Sequence, residues 1–225
     1  MKTPLTKAAV AIVSIAWTGL AWAADNQAWI RFSADAQPFG ELKLKVDEEL
    51  RYGHGVLVGE ELIMSGSYRL TSWLSAGVGH WIARDRKGGH GQLQTVQRPL
   101  ADLTFTAPEV VKLKADFRTR FELCDHHGEK PFMRYRERLR LRTSWSVTEH
   151  RISPYCFEEV FMVDRPGREN VFDRNRFQAG VSFLPVPQLS ALRCNLYYMI
   201  QHALSSSGHE WHATNIYGLE LAYSF

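Results

Sequence analysis

Arg134, Arg136, Arg138, Arg140 and Arg142 recur at every second position of the chain. A run just before them alternates in the same way. Lys112, Lys114, Asp116, Arg118, Arg120 and Glu122 are interleaved with Val111, Leu113, Ala115, Phe117, Thr119, Phe121 and Leu123. A period of two puts each set on one face of a β-strand. Guanidinium groups present planar forks of donors that grip carboxylates and phosphates with paired hydrogen bonds. Such a row can therefore bind an anion or be bridged by acids of the chain itself. On a lipid-facing wall each arginine would cost about 2–4 kcal/mol near mid-membrane, so in a membrane barrel the row faces inward. This gives a candidate anion-binding set of Arg118, Arg120, Arg134, Arg136, Arg138 and Arg140, joined by Arg176 from a later strand of matching parity. Asp116, Glu122 and Glu159 are the expected charge partners, with Glu159 in reach of Arg138 and Arg176. Glu137 is the one charge of outward parity among Met133, Tyr135, Leu139 and Leu141.

The same parity carried along the chain sends Arg31, Lys43, Lys45, Arg51, Arg98, Arg174 and Arg193 inward. Asp35, Asp47, Glu49, Asp102 and Glu220 go with them, and bases outnumber acids. Two readings stay open. The charges simply fill a narrow lumen, or the surplus arginines bind or conduct a small anion.

Alternation and turn residues divide the rest into eleven strand candidates, at 29–36, 41–52, 56–69, 73–84, 96–106, 111–124, 132–145, 151–164, 172–184, 188–204 and 212–225. In the last of these, Tyr217, Leu219, Leu221, Tyr223 and Phe225 form an apolar face that runs to the final residue, the pattern of an assembly signal for an outer-membrane strand. A terminal strand of a soluble sandwich is the competing reading, but soluble termini are usually exposed and frayed. Connections at 69–72, 106–110, 146–150 and 185–187 read as short. Those at 85–94, 124–131, 164–171 and 205–210 read as longer. Tyr68, Phe105, Trp145, Phe183 and Phe225 share outward parity at the short-turn ends, as an aromatic girdle requires, while Trp73 and Trp81 take the opposite parity. The expected fold is all-β, a single antiparallel transmembrane β-barrel of 10–12 strands with short periplasmic turns and longer outer loops. Eleven is odd for such a barrel, so the count becomes ten if 29–36 is not a full strand and twelve if two strands are fused.

Residues 1–23 read as a cleaved secretory signal peptide: Lys2 and Lys7, an apolar run from Ala8 to Leu20, then Ala21-Trp22-Ala23. The barrel domain is then 24–225, with the outer membrane of a Gram-negative bacterium as its expected location. Outer-membrane lipid and the barrel-assembly machinery are its expected partners. The formal net charge of +3 gives no basic field of the kind that nucleic acid requires. Cys124, Cys156 and Cys194 leave either three free thiols or one bridge.

The chain resembles the bacterial domain of unknown function 2490 family, a family of outer-membrane barrels. The stretches that carry the likeness are Trp29, Arg98-Pro99 before Asp102-Leu103, Arg118 to Glu122 and Arg134 to Arg140. Glu159-Val160-Phe161, Phe172 to Phe177 and the Phe225 end complete the set. The resemblance implies a barrel and its location, and carries no activity.

Enzymatic signals are thin. His80 has the outward parity that a lipid hydrolase would need, but no serine and carboxylate align with it. His150 with Ser153, the pair His126-His127, and His209 with His212 read as polar residues near turns, and no HExxH spacing occurs. No metal site, cofactor or catalytic residue is expected. The functional expectation is a barrel with an arginine-rich lumen that binds or conducts a small anionic solute. A barrel-embedded lipid-modifying enzyme and a purely structural membrane protein are the alternatives.

Overall fold

The computed structural model describes residues 26–86, 93–126, 130–143, 145, 150–165, 168–205 and 210–225. The proposed signal peptide lies outside them. The described residues form eleven strands and no helix: β1 (Asn26–Phe39), β2 (Leu42–Gly53), β3 (Val56–Arg69), β4 (Leu74–Arg86), β5 (Leu93–Thr106), β6 (Leu113–His126), β7 (Phe132–Thr143), β8 (Ser153–Arg165), β9 (Arg168–Phe183), β10 (Leu192–Leu204) and β11 (Trp211–Ser224). Each strand pairs with the next in sequence, and β1 pairs with β11 to close the barrel.

The closure corrects the expected topology. Every sequential pair is antiparallel, but β1 and β11 run parallel, in register from Asn26 against Asn215 to Asp35 against Ser224. An odd strand count leaves no other choice, because the first and last strands of an up-and-down series of eleven point the same way. The barrel is mixed rather than wholly antiparallel, and the count is neither ten nor twelve.

The contrast between short and longer connections is not found either. At the end expected to carry the longer loops, only His54 and Gly55 separate β2 from β3, and only residues 166–167 separate β8 from β9. The longest connections, 144–152 and 184–191, lie at the other end. Turn chemistry explains part of the misreading. Val111 and Lys112 sit at φ 49° and 62° and make a tight reversal, with Val110 and Leu113 exchanging backbone hydrogen bonds of 3.0 and 2.8 Å. A β-branched residue rarely takes that conformation, so Val111 reads as strand although it is turn. Lys112 consequently leaves the inward row, and Lys114 pairs with Glu109 at 2.9 Å.

Period-two patterning builds two unlike surfaces. The outward wall is apolar and exposed, for example Phe32, Val46, Val78, Phe117, Leu139, Phe177, Leu196 and Tyr217. Trp73 belongs to this wall. It precedes β4, where the Thr71 hydroxyl accepts from the backbone N–H groups of Trp73 and Leu74, and its ring stacks on Phe105 at 6.1 Å. The inward face is charged and buried, with Glu49, Glu61, Asp116, Glu122 and Glu159 opposed to Arg98, Arg120, Arg134, Arg136 and Arg176. Three small apolar clusters punctuate it, including Trp29–Met199–Ile216 and Cys124–Phe132–Val163.

Candidate functional site

Strand register brings like charges face to face. Arg118 lies opposite Arg138, and Arg120 opposite Arg136. Such pairs repel unless bridged. Glu159, on the far side of β7, receives Arg118 Nη2 at 2.7 Å and Arg136 Nη2 at 2.9 Å, with Arg176 Nη1 at 4.0 Å. Glu122, which has no exposed surface, accepts from Arg134 Nε at 2.8 Å and Arg136 Nη1 at 2.7 Å. Arg120 makes a two-pronged contact with Asp102 at 2.7 and 2.8 Å. Arg140 Nε meets Asp116 at 3.0 Å, with Arg142 at 3.9 Å. A second group sits across the lumen: Arg31 and Arg51 both bind Glu49, and Arg51 continues to Glu61 at 2.5 Å. Within most of the arginine row, each guanidinium therefore has a carboxylate of the chain itself.

Aromatic rings fill the space between these ions. Trp81 lies under Arg98 (4.7 Å to the ring centre), Arg136 (5.1 Å) and Arg134 (5.6 Å). Phe161 lies under Arg136 (4.6 Å) and Arg176 (4.9 Å), and Trp29 under Arg51 (4.1 Å) and Arg176 (5.2 Å). A desolvated cation over a ring face contributes about 2 kcal/mol. Trp29, Trp81 and Phe161 are all buried, so rings and guanidinium groups together occupy the middle of the lumen.

Toward the mouth where β1 begins, the network thins. A cavity of about 290 Å³ opens there, lined by Arg98, Arg134, Arg165 and Arg174 together with Phe132, Val163, Val171 and Leu204. Asp85 and Asp173 also reach it. Arg98, Arg165 and Arg174 each keep a buried Nε–H with no acceptor, and among the described residues none of the three forms an ion pair within 4.0 Å. Arg98 is only 7% exposed. An unmatched buried donor of this kind costs about 1–3 kcal/mol, more when charged. Register shifts between β8 and β9, at Phe161/Met162 and Val163/Arg165, lie beside the cavity. Bulges of this kind turn side chains away from strict alternation.

Of the arginines expected to bind an anion, Arg118, Arg120, Arg134, Arg136 and Arg140 are thus matched to acids, and Arg176 donates to Gln201 at 2.7 Å. Arg118, Arg136 and Arg138 each keep a buried Nε with no acceptor; of the three, Arg138 has no ion pair among the described residues and lies over Phe157 at 5.6 Å. Asp116, Glu122 and Glu159 sit within this network. Glu61, Trp81, Arg165 and Asp85 were not foreseen as members. Glu61 shared the inward parity of β3 and could have been found from it, whereas Arg165 follows the last clear alternation of its strand and gave no signal.

The remaining sequence candidates lie apart. Tyr217, Tyr223 and Phe225 are exposed on the outward wall, Leu221 is half-buried, and Leu219, in register with Ile30 and Leu196, is buried. His80 faces outward in register with Met64 and Pro99, with no hydrogen bond or ion pair among the described residues. The His150 ring meets the Leu184 carbonyl at 2.9 Å, and the Ser153 hydroxyl is directed to the Trp145 carbonyl at 3.5 Å. His212 lies 3.9 Å from Glu210. His127 and His209 lie outside the described residues. Cys124, Cys156 and Cys194 are free thiols. No group of metal-ligating side chains is present among the described residues.

Comparison with curated proteins finds none that matches this chain. Comparison with known families matches residues 26–212, from the start of β1 into β11, which takes in the arginine row, its acids and the mouth cavity. The chain therefore belongs to the family described as Protein of unknown function (DUF2490).

Proposed function

We propose that this protein is an outer-membrane β-barrel of a Gram-negative bacterium whose lumen is sealed and which binds a small anionic solute at one mouth. The membrane part of the reading is supported by the largely apolar outward wall and by exposed aromatic residues at both ends, Tyr68, Trp73 and Phe225 at one and Phe172 with Trp211 at the other. A charged interior behind an apolar exterior is the reverse of a soluble barrel, whose apolar face closes on itself.

One observation carries the binding part: Arg98, Arg165 and Arg174 line a cavity and form no ion pair among the described residues, in a lumen where most other arginines are paired with acids. Conduction fits less well, because Trp29, Trp81 and Phe161 with their arginines occupy the route an ion would take. A lipid-modifying role has no catalytic constellation around His80 to support it.

Three measurements test the reading. The mature protein should fractionate with the outer membrane and run as a compact, heat-modifiable band. Reconstituted in planar bilayers it should be nearly silent, and in detergent it should bind inorganic phosphate. A soluble periplasmic protein would end the membrane reading. An open anion-selective pore would replace binding with conduction, and a silent barrel that binds no anion would leave a structural role.

A further inference from the structure

We infer that the mouth cavity takes a phosphate monoester with a short apolar body, the phosphate on Arg98, Arg165 and Arg174 and the body against Phe132, Val163, Val171 and Leu204. The inference rests on the proposed anion-binding role and narrows it to one ligand chemistry.

Charge sets the head group. Among the described residues the lining holds four guanidinium groups and two carboxylates, Asp85 and Asp173, an excess of two positive charges. A phosphate monoester carries about −1.5 to −2 at neutral pH, against a single charge on a carboxylate. Its three terminal oxygens can accept from several guanidinium forks at once.

The apolar lining sets the body. Val163 and Phe132 are buried members of the cluster with Cys124, against which Val171 packs. Arg165 stacks over Phe132 at 4.1 Å, so the charged and apolar sides meet at that ring. A bare inorganic ion would make no use of Val171 and Leu204, which line the cavity beside the arginines. At about 290 Å³ the cavity falls at the small end of the range of ligand pockets, roughly 300–1,000 Å³. That suits a head group with a few carbons rather than a whole lipid.

Two sources offer this chemistry: a water-soluble phosphate ester entering from the mouth, and the phosphorylated end of a membrane lipid leaning into it. Isothermal titration of the detergent-solubilised barrel separates them. The probes are inorganic phosphate, phenyl phosphate, benzoate, phenol and dihexanoyl phosphatidic acid. Phenyl phosphate should bind at least about tenfold more tightly than inorganic phosphate or benzoate, and phenol should not bind. A tenfold difference corresponds to about 1.4 kcal/mol, roughly the contribution of one or two buried methylenes. Tighter binding of the phosphatidic acid than of phenyl phosphate assigns the lipid source, and the reverse assigns the soluble one.

Arg165→Gln should weaken phenyl phosphate at least about tenfold, while Arg165→Lys retains part of the affinity. Leu204→Asn should erase the preference for phenyl phosphate over inorganic phosphate. Each variant is first checked for the heat-modifiable folded form. If inorganic phosphate binds but phenyl phosphate binds no better, the amphiphilic ligand is wrong and the anion-binding role stands. Preference for benzoate overturns the phosphate assignment. If no anion binds, the underlying role fails as well.

Discussion

Thr119 Oγ1 donates to Glu137 Oε2 at 2.7 Å on the outward wall. The one acid of outward parity in the arginine strand is thus held by a hydroxyl of the neighbouring strand and has no arginine. Glu159, on the inward face of the next strand, is 2% exposed and takes hydrogen bonds from Arg118 and Arg136. Neutralising Glu159 would strand two buried guanidinium groups, a loss of the kind that costs about 3–5 kcal/mol. Neutralising Glu137 removes no ion pair and should cost no more than about 1 kcal/mol. Glu159→Gln should therefore lower the melting temperature of the folded band clearly more than Glu137→Gln in the same detergent. Equal melting would contradict the assignment of the two faces.

The proposed closure of the lumen rests on Trp81 and Phe161. Each is large, buried and covered by guanidinium groups, so truncation to alanine should cost about 3–5 kcal/mol and leave a gap in the plug. Single-channel recording should find Trp81→Ala with Phe161→Ala leaky where the parent is silent. A double variant that folds and stays silent would show that the ion network alone closes the lumen.

Gly218 lies opposite Tyr197 in the β10–β11 ladder, and the tyrosine ring covers the place where a β-carbon would stand. Ring-over-glycine pairs of this kind pin the register of barrel strands. Gly218→Ala should displace Tyr197 from the Trp29–Met199–Ile216 cluster and destabilise the barrel by about 1–3 kcal/mol, read as a lower melting temperature. Gly40, where a β-carbon meets nothing within 4 Å, tests a different effect: its alanine variant reports only the strain of φ 47°.

Phe225 donates its backbone N–H to the Asp35 carbonyl at 2.8 Å and sets its ring edge-on to Tyr223 at 4.8 Å. It thereby ties the end of β11 to β1. Deleting Phe225 should slow or reduce appearance of the heat-modifiable form in cells. Assembly at the parent rate would remove the terminal strand as an assembly signal.

The eleven strand stretches and the two faces were legible because lumen and wall demand opposite chemistry at successive positions, but the odd total argued for ten or twelve strands and was misjudged. The pairing of first with last strand was not legible, since a period of two assigns faces and says nothing about neighbours. The site was legible only in part. Arg98 and Arg174 carried the right parity, yet the dense row at Arg134–Arg142 drew attention because it is conspicuous in sequence, and the acids that satisfy most of it come from other strands. Trp81 has inward parity in the sequence and looked anomalous in a polar lumen. The physical reason for its place is that a guanidinium can lie on an aromatic face, so a ring can be buried among charges without orphaning them.

Because β1 and β11 run the same way, a peptide joined ahead of Asn26 and one joined behind Ser224 leave the barrel by opposite rims. With one strand more or fewer they would leave by the same rim. In any septum that the wall spans, two such fusions would face different compartments. A circular permutant linking them would need a tether running the full height of the wall. With strands of up to about 3.4 Å per residue tilted by about 35–45°, that tether is at least about ten extended residues.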